Sequence, residues 1–207
     1  MNDLQRTEEW FLVRAGKVTA SRIADMMSKT KSGWGASREA YAAELMTERL
    51  TGLPIERPSN AAMQWGTETE PQALNAYSFL TDNVVEQVGF VLHPEFDMGG
   101  ASPDGQVGDD GLVEAKCPTT KTHIEYFEKG SVPRKYVLQM QWQMACTGRA
   151  WCDFISFDPR IGDPMLQAFI TRVERDDDLI SEILTTARDF SDEIDARILA
   201  LREKAAA

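Results

Sequence analysis

The sequence has few of the residues that build disulfide frameworks or metal clusters. Its three cysteines, Cys117, Cys146 and Cys152, are odd in number and form no C-x-x-C pair. Neither a disulfide scaffold nor a zinc or iron-sulfur site is therefore predicted, and buried free thiols are the favoured interpretation. The two histidines, His93 and His123, lack metal-ligand spacing, so structural or surface roles are favoured for both.

Long apolar runs are absent as well. Runs such as Val88 to Leu92 are far shorter than the roughly 20 residues of a membrane span, and no basic, then apolar, then small-residue leader opens the chain. We expect a soluble, cytoplasmic protein with no membrane partner. Its 207 residues, 43% of them apolar, suit one core better than two, so we expect a single domain over residues 1–207.

Positive charge is scarce, because 22 Lys and Arg face 33 Asp and Glu and the formal net charge is -11. This excess argues at first against nucleic acid, since Lys and Arg dominate binding to phosphates. The charge is segregated, however. Residues 14–38 contain six basic residues and one acidic residue, whereas residues 176–207 contain nine acidic and four basic ones. Part of the surface can therefore meet DNA although the whole chain is acidic.

Hydrophobic periodicity predicts a mainly helical N-terminal third, followed by strands interrupted by helices. This order predicts an α/β fold, with a central mixed β-sheet flanked by helices. The predicted helices are Thr19 to Lys29, Ser37 to Thr51, Thr67 to Leu80, Thr119 to Lys129, a helix opened by Pro133 that runs to about Thr147, and a long C-terminal helix from Asp176. The predicted strands are Asn83 to Leu92, Met98 to Ser102, Gly111 to Cys117, Trp151 to Phe157 and Leu166 to Val173.

The C-terminal helix has an amphipathic pattern. Apolar residues recur at spacings of three and four and predict one stripe packed on the body: Leu179, Ile183, Ala187, Phe190, Ile194, Ile198 and Leu201. We assign this helix a structural role, or an oligomer contact, rather than a catalytic one.

The residues most suited to chemistry are Ser102-Pro103-Asp104-Gly105 and, ten residues after Asp104, Glu114-Ala115-Lys116. Residues i and i+2 of a strand share a face, so Glu114 and Lys116 would point together toward Asp104 in the preceding turn. Two carboxylates can hold magnesium, which withdraws charge from a phosphate and acidifies water, and Lys116 can orient that water. The alternative is that Glu114 and Lys116 lie on a solvated face and that the spacing arose by chance.

These residues resemble the signature of PD-(D/E)xK nucleases, whose core is like that of restriction endonucleases. Three further segments resemble the lambda exonuclease and YqaJ-type viral recombinase branch of these nucleases and occur in the family order. They are Trp10 to Ile23, with Arg14 and Ser21 seven apart; Trp65 to Glu70, with a G-x-x-x-E helix start; and Tyr136 to Gly148, with Gln139-Met140-Gln141.

The resemblance implies a metal centre formed by Asp104, Glu114 and the main-chain carbonyl of Ala115. It also implies that Lys116 serves the attacking water and that Glu70 contributes to the same centre. The expected cofactor is Mg²⁺, with two ions and with Mn²⁺ as a substitute.

The resemblance further implies a pocket for a 5′-phosphate formed by Arg14, Ser21, Ser102 and Gln139. Arg, hydroxyl and amide groups are suitable phosphate donors, and a helix start near Ser21 would favour an anion. From the residues alone, Ser21 can equally cap a helix, and Arg14 can lie on a solvated surface. Gln139 competes with Gln141 and Gln143, and it shares a helix face with Gln143 rather than Gln141.

The function that the resemblance implies is digestion of the 5′-phosphorylated strand from double-stranded DNA ends to mononucleotides, which leaves a 3′ single strand. It also implies a toroidal homotrimer, a single-strand annealing protein as partner, and a phage or prophage protein in a bacterial cytoplasm. A nicking or structure-selective endonuclease is one alternative, and a noncatalytic acidic DNA mimic or binding module is another. Trp34, between two glycines in the basic segment, can stack on an unpaired base, although a packing role is slightly favoured.

Overall fold

The computed structural model describes residues 5–31, 33–55 and 60–207. These residues form helices and strands in mixed order, with two short 3-10 helices at Ala20–Arg22 and Pro164–Leu166. The α-helices are α1 Glu8–Arg14, α2 Ile23–Met26, α3 Ala36–Thr51, α4 Ala61–Thr81, α5 Thr120–Lys129, α6 Arg134–Thr147 and α7 Asp177–Ala206. The strands are β1 Val18–Thr19, β2 Lys29–Thr30, β3 Gly33–Trp34, β4 Val85–Glu86, β5 Val91–His93, β6 Phe96–Ala101, β7 Gly105–Val107, β8 Gly111–Lys116, β9 Trp151–Phe157 and β10 Ala168–Glu174.

The main sheet has five strands in the order β10-β9-β8-β7-β4, and only the β8–β9 pair is parallel. Side chains alternate between its two faces. Val113 and Ala115 of β8 pack with α4 on one face, whereas Leu112 packs with α5 and α6 on the other. Glu114 and Lys116 have the parity of Leu112 and therefore point toward α6. The alternation predicted from the sequence thus determines that α6 is the helix facing Glu114 and Lys116.

A second layer surrounds a three-stranded sheet in the order β1-β6-β5, in which β1 runs parallel to β6. This sheet packs with α2, α3 and α7 in the largest cluster of buried apolar residues. Trp142 of α6 enters the same cluster and donates from Nε1 to the carbonyl of Gly100 at 3.2 Å. The helix that faces Glu114 is therefore fixed between the two layers.

Helix α7 begins as the sequence predicts, because the Asp176 side chain caps it by accepting from the N–H of Leu179 at 3.0 Å. Its predicted apolar stripe is buried except for Leu201, which is 47% exposed near the end of the helix. Arg38 of α3, itself 1% exposed, forms an ion pair with Glu193 at 2.9 Å. Helix α7 is thus part of the core, in agreement with the structural role predicted for it.

The α/β fold with a mixed sheet and a long C-terminal helix is confirmed, and strand Trp151–Phe157 has the predicted bounds. The predicted helix Thr19 to Lys29 is wrong over most of its length. There, Thr19 pairs with β6, a 3-10 turn follows, and the α-helix is limited to Ile23–Met26. Tertiary pairing outweighs local helix propensity in this segment, because the N–H of Thr19 also donates to the hydroxyl of Tyr41 at 3.0 Å.

Other element boundaries differ from the predictions. The predicted strand Asn83 to Leu92 is two short strands in different sheets, because β4 pairs with β7 whereas β5 pairs with β6. Helix α4 starts at Ala61, six residues before the predicted Thr67, since the Asn60 side chain accepts from the N–H of Met63 at 2.9 Å. The short strands β1, β2, β3 and β7 were not predicted.

Residues given structural roles from the sequence have matching contacts. Cys146 and Cys152 are buried free thiols, and Cys117 is a free thiol that is half-buried. His123 is buried and bonds through Nδ1 to the hydroxyl of Ser156 at 2.7 Å, and His93 stacks on Trp142 at 4.9 Å between ring centroids. In the described residues, no helix combines the length and apolar character needed to cross a membrane.

The packing of α7 makes a stability prediction. Phe190 is fully buried against Tyr41, with ring centroids 5.6 Å apart. We expect Phe190→Ala to lower the free energy of unfolding by about 3 to 5 kcal/mol, because it removes apolar contacts and leaves a cavity. Chemical denaturation measures this change. The control Leu201→Ala, on the same helix but exposed, should change stability by less than about 0.5 kcal/mol, and equal losses in the two variants would contradict the assigned packing.

Candidate active site

The residues that the sequence singles out for chemistry line one cleft of about 620 Å³. Helix α1, the first turns of α4, the turn before β7, the end of β8 and the start of α6 surround it. The predicted residues in its walls are Arg14, Ser21, Glu70, Ser102, Asp104, Glu114, Ala115, Lys116 and Gln139. A neighbouring cavity of about 930 Å³ shares Arg14 and Ser21 but contains none of the carboxylates Glu70, Asp104 and Glu114. The smaller cleft is therefore the candidate active site.

Asp104 lies in the turn that joins β6 to β7. Its Oδ2 accepts a hydrogen bond from the N–H of Ala115 at 2.8 Å. β7 pairs antiparallel with β8, with Gly105 opposite Val113, so the residue before β7 lies next to Glu114 and Ala115. The ten-residue spacing thus reflects a hairpin that brings the two halves of the signature together.

Glu114 has no exposed surface, and donors surround its carboxylate. Oε1 accepts from Nζ of Lys116 and from Nε2 of Gln139 at 2.7 Å, and Oε2 accepts from Nε2 of Gln143 at 2.6 Å. A buried charge is strongly destabilising unless it is paired and hydrogen-bonded. The alternative that Glu114 lies on a solvated face is therefore wrong, and Lys116 is only partly exposed.

The three charges affect one another. Withdrawal from solvent and the nearby Glu114 carboxylate raise the pKa of Asp104 well above its usual range. Burial alone would lower the pKa of Lys116, but the carboxylates of Glu114 and Asp104 outweigh that effect and raise it. Two neighbouring carboxylates, Asp104 and Glu114, therefore face the single ammonium of Lys116, and a cation beside them would stabilise their negative charge.

The glutamines of α6 divide into two groups. Gln139 and Gln143, four residues apart on one face, both reach Glu114. Gln141 points elsewhere and links α6 to the start of α7, donating to the carbonyl of Glu174 and accepting from the N–H of Asp176. The sequence leaves Gln139, Gln141 and Gln143 as alternatives, and Gln139 and Gln143 both reach the site, as their shared helix face indicates.

The predicted phosphate pocket lies at the α1 side of the cleft. Arg14 donates to Oγ of Ser102 at 3.2 Å, and Nε1 of Trp10 donates to the same oxygen at 2.9 Å. Ser21 is exposed and lines the cleft, and neither short helix around it has a side-chain cap, so the capping alternative is wrong. The helix that was expected to favour an anion at Ser21 is only four residues long, which weakens that argument.

The carboxylates suit a hard divalent cation, because Mg²⁺ prefers oxygen ligands and usually binds one or two carboxylates. Asp104, Glu114 and Glu70 share the cleft with the main chain of Ala115. Within residues 5–31, 33–55 and 60–207, no three His, Cys, Asp or Glu side chains are already gathered in ligating positions. Glu114 is paired with Lys116, and Glu70 forms an ion pair with Arg6 at 2.8 Å. The oxygen ligands fit the cation, which would replace the Lys116 ammonium beside Glu114 and the Arg6 guanidinium beside Glu70.

Comparison with known proteins agrees with the motifs. Residues 9–150 match the model of the YqaJ-like viral recombinase domain. An alkaline exonuclease (LHK-Exo) from Laribacter hongkongensis is 54% identical over 97% of this chain and 98% of that chain, with a TM-score of 0.89, and its structure in complex with dAMP superposes with a TM-score of 0.90. A phage-related exonuclease from Haemophilus somnus 129PT, 16% identical over 88% of this chain and 96% of that chain with a TM-score of 0.63, shares the fold. No curated protein sequence matches the chain.

The raised pKa of Asp104 predicts a pH dependence. A carboxyl whose pKa is higher in the folded state binds its proton more tightly there, so its contribution to stability is lost as the pH rises through that pKa. Without divalent cations, the wild type should lose more stability than Asp104→Asn as the pH rises from 3.8, the ordinary pKa of the carboxyl, towards the alkaline range. Adding Mg²⁺ at the higher pH should raise the unfolding temperature of the wild type but not that of the variant. Thermal unfolding with chelator or Mg²⁺ measures both effects, and identical pH profiles for the two proteins would refute the assignment.

Proposed function

Because this chain belongs to the YqaJ-like viral recombinase domain family, we propose that it is a divalent-metal-dependent DNA exonuclease. It would digest the 5′-phosphorylated strand of a duplex end to mononucleotides and leave a 3′ single strand for recombination. The supporting observation is that Asp104, Glu114 and Lys116 converge in the same cleft as the phosphate-binding candidates Arg14 and Ser102. Its similarity to LHK-Exo, an alkaline exonuclease, supports the same activity.

Asp104, Glu114 and the carbonyl of Ala115 would hold Mg²⁺, or Mn²⁺ in its place, with Glu70 available for a second ion. The cation would supply positive charge against the scissile phosphate and make the attacking water more acidic. In this proposal, Lys116 releases Glu114 and turns its ammonium toward the water and the developing negative charge. Lys116 contacts Oε1 of Glu114, whereas the Gln143 amide donates to Oε2. Gln143 would therefore hold Oε2 in place while Lys116 moves away from Oε1.

The arrangement of the cleft supports the proposed direction of digestion. A terminal 5′-phosphate at Arg14, Ser21 and Ser102 would place the next phosphodiester toward Asp104 and Glu114. One nucleotide would then be released with its own 5′-phosphate, and the strand would shorten from its 5′ end. The structure of LHK-Exo in complex with dAMP, a nucleoside monophosphate of the expected product class, supports this proposal.

The proposed assembly is a toroidal homotrimer whose partner is a single-strand annealing protein. The segregation of charge supports a ring, because the exposed Lys29 and Lys31 of segment 14–38 can line a central channel while the exposed acids of segment 176–207 face outward. A closed ring would also keep the enzyme on its substrate between cuts. Each chain would contribute one catalytic domain.

Digestion of linear duplex tests the proposed activity. The protein should release nucleotides from 5′-phosphorylated linear DNA with Mg²⁺, but not with Ca²⁺ or chelator, and it should leave closed circular duplex intact. Asp104→Ala should abolish release and preserve folding and end binding, because the fold keeps its packing while the cation loses a ligand. Asp97→Ala, which removes an exposed carboxylate of β6, is the matched control.

Cleavage of closed circles would indicate an endonuclease, and the absence of release under all conditions would indicate a binding protein. Near-normal hydrolysis by Asp104→Ala at saturating Mg²⁺ would remove Asp104 from the centre.

Removal of Arg14 tests the 5′-phosphate pocket apart from the metal centre. The wild type should prefer phosphorylated over hydroxyl 5′ ends. Arg14→Ala should erase most of that preference, because charge-assisted hydrogen bonds of about 1.5 to 3 kcal/mol are lost, which corresponds to roughly 10- to 150-fold. Initial rates on duplexes that differ only at the 5′ end, at fixed salt, measure the ratio. Arg14→Lys, which keeps the charge but not the planar fork, should retain part of it. Equal slowing on both ends with full preference would make Arg14 a general DNA or structural contact.

The assembly makes a separate prediction. At micromolar concentration, light scattering should give a mass of about three times the 23.2 kDa chain mass. A strict monomer that digests kilobase duplexes without dissociating would contradict the ring.

A further inference from the structure

Helix α1 forms one wall of the cleft without burying any of its own residues. Polar contacts to the turn before β7 hold it in place. Gln5, just before the helix, donates to the carbonyl of Pro103 at 2.8 Å, while Trp10 and Arg14 both donate to Oγ of Ser102. Hydrogen bonds to the turn before β7 therefore contribute to placing Arg14 against the cleft.

The two bonds to Ser102 determine where its own hydrogen can point. A serine oxygen has two acceptor positions and one O–H donor. Nε1 of Trp10 at 2.9 Å and a terminal nitrogen of Arg14 at 3.2 Å fill the acceptor positions. Ser102 lines the cleft, and the hydrogen bonds found for its hydroxyl among the described residues are the two that it accepts. The hydroxyl hydrogen is therefore left to donate into the cleft, to water or to a bound anion.

Trp10 also orients the guanidinium. The Arg14 Cζ lies 3.8 Å from the centroid of the Trp10 ring, while the Phe90 ring is 5.7 Å away. Stacking on an indole restricts the guanidinium plane and leaves its N–H edge to face hydrogen-bond acceptors. One side chain thus contacts both neighbours, Arg14 through its ring face and Ser102 through its ring N–H.

We propose that Trp10 is a positioning residue for recognition of a terminal phosphate. This inference rests on the proposed function. Trp10 does not bind the phosphate itself but acts through Ser102, whose oxygen it occupies so that the hydroxyl donates into the cleft, and through Arg14, whose plane it orients. If Trp10 only filled space, phenylalanine would replace it with little change, because most of the aromatic ring would remain beneath Arg14.

The test measures the ratio of kcat/KM for duplexes with a 5′-phosphate and with a 5′-hydroxyl end. Trp10→Phe keeps an aromatic ring but lacks the N–H donor to Ser102, so the ratio should fall about 3- to 10-fold, the range for one lost hydrogen bond. The rate on hydroxyl ends should stay within about twofold of the wild type. Val13→Ala, an exposed change on α1 outside the cleft, should leave both rates unchanged.

A double-mutant cycle of Trp10 and Ser102 distinguishes this positioning role from a packing role. If Trp10 acts through Ser102, Trp10→Phe should add nothing to the loss of preference in Ser102→Ala. Additive losses, an unchanged ratio in Trp10→Phe, or equal slowing on both ends would overturn the inference and leave the nuclease proposal intact.

A wild type that digests both kinds of end equally would reject the phosphate pocket and this inference. A wild type that digests neither kind of end would reject the nuclease proposal and the inference with it.

Discussion

A carboxylate with no exposed surface destabilises a fold unless donors surround it, and the arrangement of this cleft meets that requirement at Glu114. The pleat of β8 directs Glu114 toward α6, where two glutamines one turn apart donate to its two oxygens. Lys116, two residues along the same strand, adds the third donor. The register of β8 against α6 is therefore fixed by electrostatics as well as by apolar packing.

The same constraint connects the site to the rest of the molecule. Helix α6 presents Met140 and Met144 to the main sheet and Trp142 to the second layer, so its rotation about its own axis is fixed from both sides. Gln141, on another face, joins it to the start of α7. Glu114 thus receives its donors from a helix that cannot turn without disturbing two clusters of buried residues.

Much of this structure could be predicted from local patterns, because those patterns agree with the tertiary contacts. The stripe of α7 matches its buried face, and the i and i+2 spacing of Glu114 and Lys116 gives their common direction. Prediction failed where the decisive contact is distant in sequence. Thr19 is in a strand because it pairs with Gly100, which no local pattern near Thr19 reveals. Likewise, Trp10 contacts Ser102 across 92 residues, so its contact with the site is visible only in the fold.

Because α1 has no buried residues, its attachment to the body is separate from the stability of the core. Global stability resides in the clusters beneath the sheets, whereas hydrogen bonds from Gln5, Trp10 and Arg14 attach α1 and the residues before it to the turn before β7. Local opening of this helix would expose little apolar area and would leave the core folded. If the proposed function holds, substitutions in α1 would change the grip on a DNA end with little effect on folding, and end specificity would be engineered in this helix.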